Sequence, residues 1–323
     1  MQKTITKDQE PSRLRTFLGS DTFKGLLPII GLVVIVVVMN ILTGGKILTP
    51  KRLRLLLSQV YYPMIVATGV FFVMTLGSID FTEGSTLGLA SIVISKLSFY
   101  SIPLAILGGI LTGAAIGAIN GFFHVKFKLQ SFIITICTMY LFRGVCAYMT
   151  TESAVPASAA IKALDQNWLK ITITVVVLLV AWFLFRFTRI GNDVKAVGAG
   201  ETAARFSGVH VDRVKFLVFV AAGALTGLAA FVNVIKVGSI TATAGNQLET
   251  QILISLVLGG LPITGGAKVR FSNIVVGTLM YTVLNNGLVM MGYDSATQQL
   301  IKGVIFLIFV ALTIDRKALK VIK

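Results

Sequence analysis

From Trp168 to Phe187 the chain reads WLKITITVVVLLVAWFLFRF, and from Phe216 to Ile235 it reads FLVFVAAGALTGLAAFVNVI. As a helix, a run of about 20 apolar residues is about 30 Å long, the thickness of a bilayer's hydrocarbon core. Between the two runs lies Arg186–Lys215, which packs six basic residues (Arg186, Arg189, Lys195, Arg205, Arg213, Lys215) and three acidic ones (Asp193, Glu201, Asp212) into one polar interruption. Two bilayer-length runs around one compact charged loop predict an all-α polytopic membrane protein with a soluble face in its middle.

The totals agree. Of 323 residues, 55% are hydrophobic and 13% charged, about half the charge of an ordinary soluble domain; mean hydropathy is +0.87. The net charge of +16 would suit nucleic acid, but the basic residues are scattered between apolar runs and no reading motif accompanies them. The excess of Lys and Arg in cytoplasmic loops of membrane proteins explains them more simply, so the expected surroundings are a lipid bilayer and no nucleic acid.

Working outward gives ten apolar runs: 25–43, 60–77, 85–97, 102–121, 131–149, 168–187, 216–235, 248–261, 274–291 and 298–314. The runs at 85–97 and 248–261 are short, so eight crossings remain an alternative. With ten, both termini are cytoplasmic and nearly every basic loop falls inside. Lys46–Arg54 is the exception, unless it forms an interfacial helix. The domain plan is a cytoplasmic tail at 1–24, a single transmembrane domain at 25–314 containing the cytoplasmic loop 186–215, and a cytoplasmic tail at 315–323.

In the fourth run Gly109, Gly113, Gly117 and Gly121 recur every four residues, which places them on one helical face. Such a seam lets another helix pack backbone to backbone; a glycine-lined pathway is the alternative. Arg143, inside the fifth run, is costly in lipid and needs an outer interface or an acidic partner. Two carboxylates, Asp80 and Glu83, sit in the break after the second run.

Several chemistries are excluded. The sequence has no phosphate-cradling Gly-x-x-x-x-Gly-Lys-Ser/Thr loop and no His-Glu-x-x-His, Gly-x-Ser-x-Gly or Cys-x-x-Cys. Its two histidines, His124 and His210, fall in basic loops without metal-ligand spacing. Cys137 and Cys146 read as small buried side chains. No catalytic residue, metal or cofactor is expected on this chain.

Inside the charged loop, Gly198–Gly208 has helix grammar. Gly200 suits the N-cap, Glu201 the first turn, and Gly208 a left-handed stop. Arg205, four residues after Glu201, is placed to pair with it. So short a helix is unstable alone and must dock on something.

Taken together, the motifs resemble those of membrane subunits of bacterial ABC importers of the ribose, galactose and xylose type. The resemblance runs through Gly77-x-Ile79-Asp80-Phe81-Thr82-x-Gly84, Gly113…Gly117…Asn120-Gly121, Ser131-Phe132-Ile133-x-Thr135 and Arg143-Gly144. It continues through Gly198-x-x-Glu201-x-Ala203-Ala204-Arg205-x-Ser207-Gly208, Leu248-Glu249, Leu258-Gly259-Gly260, Gly265-Gly266 and Asn285-Asn286-Gly287. Departures occur at Ala199-Gly200, at Gln247–Ile254 and at Lys268. The resemblance implies a type II importer bundle in the bacterial inner membrane and a second permease subunit, as homodimer or heterodimer. It further implies cytoplasmic ATPase subunits that carry the ATP hydrolysis and an extracytoplasmic binding protein that delivers a monosaccharide-like solute. Nucleosides, polyols and signalling sugars are alternative solutes, and an ion-coupled carrier or channel is the rival class. By the same resemblance Gly198, Glu201, Ala203, Ala204, Arg205 and Gly208 form the ATPase-coupling loop, and Ala204→Trp abolishes transport in an inserted subunit. Asp80, Glu83, Asn120, Glu249, Asn285 and Asn286 are the candidate pathway or gate residues.

Overall fold

The computed structural model describes residues 21–313. The expected C-terminal tail and residues 1–20 of the expected N-terminal tail lie outside the described residues. Thirteen α-helices follow in order among the described residues: α1 (Asp21–Leu42), α2 (Pro50–Thr75), α3 (Glu83–Leu97), α4 (Ile102–Lys126), α5 (Ser131–Met149), α6 (Ala159–Lys162), α7 (Asn167–Phe187), α8 (Arg189–Ala199), α9 (Glu201–Phe206), α10 (Val211–Val237), α11 (Leu248–Leu258), α12 (Ser272–Met290) and α13 (Ser295–Thr313). A helix stands at each of the ten apolar runs. Six of them, α2, α4, α5, α7, α10 and α12, are long and apolar enough to cross a membrane. The 11-residue α11 is about 16 Å long, too short to cross alone. The chain is a multi-pass membrane protein.

Two of the six form the interior. In α2 and α10, 72% of the apolar window is buried, against 22% in α5 and α7, whose outer faces carry Tyr140, Leu141, Val176 and Leu179 exposed. The 15-residue α3 is buried along most of its length among α4, α5 and α10. It is therefore an internal helix wrapped by its own protein, not the lipid-bounded third crossing that its hydropathy suggests.

The closest packing joins α4 to α10. A Cβ on Gly113 would stand 2.0 Å from the Gly223 carbonyl oxygen, and one on Gly223 would stand 2.1 Å from that of Gly113. Gly227 backs onto the Gly109 carbonyl in the same way, Gly117 onto Phe219, and Gly121 onto Phe216. Ascending numbers on α4 meet descending numbers on α10, so the two helices are antiparallel. Backbone lies against backbone along most of the seam, with the Phe216 ring beside Gly121 at one end, and van der Waals contact holds the two together.

Several local expectations change. His124 lies in the last turn of α4, not in a loop, with its Nδ1 2.7 Å from the Leu129 carbonyl. Cys146 is buried, but Cys137 is exposed on the outward face of α5. Lys51, Arg52 and Arg54 form the exposed start of α2, after a 3-10 turn at Lys46–Leu48. At one end of the molecule β1 (Val155–Pro156) pairs antiparallel with β2 (Ser239–Ile240), Val155 opposite Ile240. This ties the loop before α7 to the loop after α10.

Candidate functional site

Four of the six pathway candidates meet around the break between α2 and α3. Asp80 Oδ1 accepts the Thr82 amide at 2.8 Å and the Thr82 hydroxyl at 2.5 Å, an Asx turn that starts α3. Asn120 of α4 donates to the Thr82 hydroxyl at 3.0 Å and accepts from Thr138 of α5 at 2.7 Å. Ser131 Oγ accepts the Ile79 amide at 3.0 Å. Irregular backbone survives at membrane depth only where protein supplies such partners, and here two helices, α4 and α5, supply them.

Glu83 is 1% exposed. Its Oε2 accepts from Thr226 of α10, and its Oε1 has no partner among the described residues. Nearby, Arg143 finds its acid. Its Nη2 lies 3.4 Å from Glu249 of α11, and its Nη1 donates to Asn246 at 3.3 Å. Gly84 lets this pair in, since a Cβ there would fall 2.0 Å from Glu249 Oε2.

The remaining two candidates stand apart on α12. Asn286 donates to Gln59 of α2 at 2.7 Å. Asn285 Oδ1 accepts from Lys302 of α13 at 3.0 Å. Lys302 lines a cavity of about 540 Å³ bounded by α2, the Ile79–Phe81 break, α11, α12 and α13. Sequence reading missed Lys302, Gln247, Gln251 and Gln299 there; a lysine inside an apolar run was the available signal.

The polar loop folds as α8 and α9. Thr188 caps α8 through the Gly191 amide at 3.5 Å. Lys195 donates to the Phe185 carbonyl at 2.8 Å and lies 4.0 Å from the Phe185 ring centre; burial pushes its ammonium pKa down, and Arg186 adds to the shift. Gly200 is the N-cap of α9, and Gly208 takes φ +83°. Glu201 does not pair with Arg205. It pairs with Lys215, and Arg205 pairs with Asp212 at 2.5 Å, because a six-residue helix lying on α10 offers both side chains partners at its base. The alanine pair also divides: Ala204 is 3% exposed and packs inward, whereas Ala203 faces out. Ala204→Trp therefore strikes the subunit's own core, and a loss of transport in that variant would not identify a docking role. Beside them Phe206, not singled out from sequence, is 89% exposed.

Glycines join the α8–α9 region to the break. A Cβ on Gly198 would meet the Thr75 carbonyl oxygen at 1.9 Å and the Gly266 nitrogen at 3.1 Å. The Gly266 amide donates to Thr75 at 3.2 Å, and a Cβ on Gly265 would lie 2.5 Å from the Gly77 nitrogen. The end of α8, the end of α2 and the turn after α11 thus approach backbone to backbone at these glycines, beside the packed side chains of Val73, Leu76, Val194 and Val197. Among the described residues no cluster of His, Cys, Asp or Glu is arranged to hold a metal.

Comparison with known proteins assigns the chain. Residues 53–310 match the family described as branched-chain amino acid transport system / permease component. The chain belongs to this family of permease components. Its ordered motifs, from the Asp80 break to Asn285-Asn286, fall within the matched region. The ribose import permease protein RbsC of Escherichia coli (strain K12) is 32% identical over 90% of this chain and 92% of its own length. RbsC of Bacillus subtilis (strain 168) is 32% identical over the same shares. The L-arabinose ABC transporter permease protein AraH of Azospirillum brasilense is 30% identical over 83% of this chain and 81% of its own length. No solved structure is significantly similar to the chain. This permease is a subunit of an ABC import system.

Proposed function

We propose that this permease passes a monosaccharide across the bacterial inner membrane, working with ATPase subunits that hydrolyse ATP, an extracytoplasmic binding protein and a second permease subunit. The observation that carries the reading is the end-to-end similarity to ribose permeases. The homodimer is the simpler partnership, and the chain itself binds no cofactor. In this reading ten helices enter the membrane as a type II bundle with both termini cytoplasmic. The short α3 and α11 enter as internal helices around the break.

Coupling runs through α9. Its exposed face offers Glu201, Ala203, Arg205 and Phe206 to an ATPase, with an aromatic anchor among charges, the composition of a binding hot spot. Gly198 and Gly208 set the angle at which α9 is presented. Movement of α8 and α9 then reaches the end of α2, and with it Asp80, Glu83, Asn120 and Glu249 as the gate.

The test is reconstitution of the permease with its ATPase and binding protein in liposomes. ATP hydrolysis stimulated by ribose, allose, arabinose or fructose, with matching uptake, is the expected result. Uptake by the permease alone, driven by an ion gradient and indifferent to ATP, would overturn the proposal in favour of a secondary carrier.

A further inference from the structure

The cavity beside Lys302 borders the gate through Ile79, Phe81 and Thr250 but is lined by none of the gate residues, and its chemistry is specific. Its volume, about 540 Å³, falls within the roughly 300–1,000 Å³ of small-molecule sites. Lys302 is the one charged residue on its wall among the described residues, and it is 8% exposed. Among the described residues the partners of its ammonium are neutral: Asn285 Oδ1 at 3.0 Å, the Tyr281 hydroxyl at 3.5 Å and the Tyr281 ring at 5.5 Å. An ammonium has three N–H donors, so one remains without an acceptor among the described residues. A charge buried with only neutral partners is costly unless its head meets water or a ligand.

The rest of the polar wall consists of neutral groups that both donate and accept, Gln247, Thr250, Gln251 and Gln299. Gln247 holds φ +64°, the left-handed region, as the residue that opens α11. Non-glycine residues adopt it uncommonly, and such conformations gather at ligand-binding positions. Phe81, Ile254 and Phe306 give the cavity apolar walls. Amide and hydroxyl donors and acceptors around apolar walls suit a neutral polyhydroxylated ring, whose edge is hydroxyl and whose faces are C–H.

We infer that this cavity is a resting site for the solute inside the permease, and that Lys302 donates a hydrogen bond to one of its hydroxyl oxygens. The inference rests on the sugar-import reading and adds the residues that touch the sugar. Lys302 is then a specificity residue, with Gln251 and Gln299 beside it.

The test uses the complete importer in proteoliposomes, carrying Gln251→Cys with Cys137→Ser and Cys146→Ser. Labelling of the introduced thiol by a neutral methanethiosulfonate is timed with and without ribose, allose, arabinose, fructose or glucuronate. The thiol should label from water, and at least one neutral sugar should slow labelling about fivefold or more, equivalent to about 1 kcal/mol of contact. Adding Lys302→Met should remove that protection and leave labelling intact. Gln299→Leu, which keeps the lysine, should reduce protection about threefold. No labelling, no protection by any neutral sugar, protection by glucuronate alone, or protection indifferent to both substitutions would overturn the inference. ATP-driven uptake in the same liposomes is scored separately. Protection without such uptake would count against the import reading and leave the cavity assignment standing.

Discussion

The α4–α10 seam and the α9 helix are opposite solutions to holding a helix in place. In the seam, carbonyl oxygens stand where Cβ atoms would be, 2.0 Å from ideal positions at Gly113, and nothing but close packing holds the pair. On α9, five of six residues are exposed, and the helix is fastened by the inward-packed Ala204 and two ion pairs, Glu201 to Lys215 and Arg205 to Asp212. One region is rigid because most of its seam has no side chains to rearrange. The other is weakly fastened because exposed ion pairs contribute little. A transporter needs both, a frame that does not yield and a contact that can be pulled.

The comparison can be broken at four places. The largest effect belongs to Gly113→Val, which drives a branched side chain into the Gly223 carbonyl. Overpacking of this kind reaches about 3 kcal/mol or more, so we expect loss of a monodisperse subunit in detergent chromatography, whereas Gly144→Ala, which has open space at its Cβ position, should elute normally. Next comes Arg143→Met, which strands Glu249. Removing one partner of a fully buried pair costs about 3–5 kcal/mol; with Arg143 23% and Glu249 11% exposed, we expect roughly half of that, read as a lowered unfolding temperature. The double variant Arg143→Met/Glu249→Gln should recover most of the loss.

On the soluble face the order of stability and function reverses. Phe206→Asp should change stability by less than about 0.5 kcal/mol, as exposed substitutions do, yet abolish co-purification of the ATPase. Retained co-purification would remove Phe206 from the docking surface. Glu201→Gln has the smallest functional effect; its stability change, under about 1 kcal/mol, should be detectable only at low salt, since screening already weakens the exposed pair.

The six helices long and apolar enough to cross were legible in the sequence because a bilayer imposes length and hydropathy on whatever spans it. The glycine seam was legible because a spacing of four is a helical face. Arg143's need for an acid was also legible, but not the acid itself. Glu249 lies 106 residues further on, and only the fold brings the two together. Local logic failed where tertiary partners competed with it: Glu201 takes Lys215, 14 residues away, over Arg205, which the four-residue spacing favoured. Burial divided Ala203 from Ala204, because a helix on a surface has an inside and an outside that composition does not reveal. Lys302 went unnoticed because one lysine barely lowers the hydropathy of an apolar run.

The glycine junction at Gly77, Gly198, Gly265 and Gly266 has a mechanical consequence. Side chains between two moving parts act as cushions, since a rotamer change can take up an ångström of displacement before anything beyond it moves. Where α8, the end of α2 and the turn after α11 meet at these glycines, backbone bears on backbone, with the Val73, Leu76, Val194 and Val197 side chains packed alongside. At those glycine contacts a displacement of α8 would bear on the end of α2 with no rotamer change to take it up. An alanine at Gly198 would act as a shim, changing the resting angle of the joint before changing how tightly it is held.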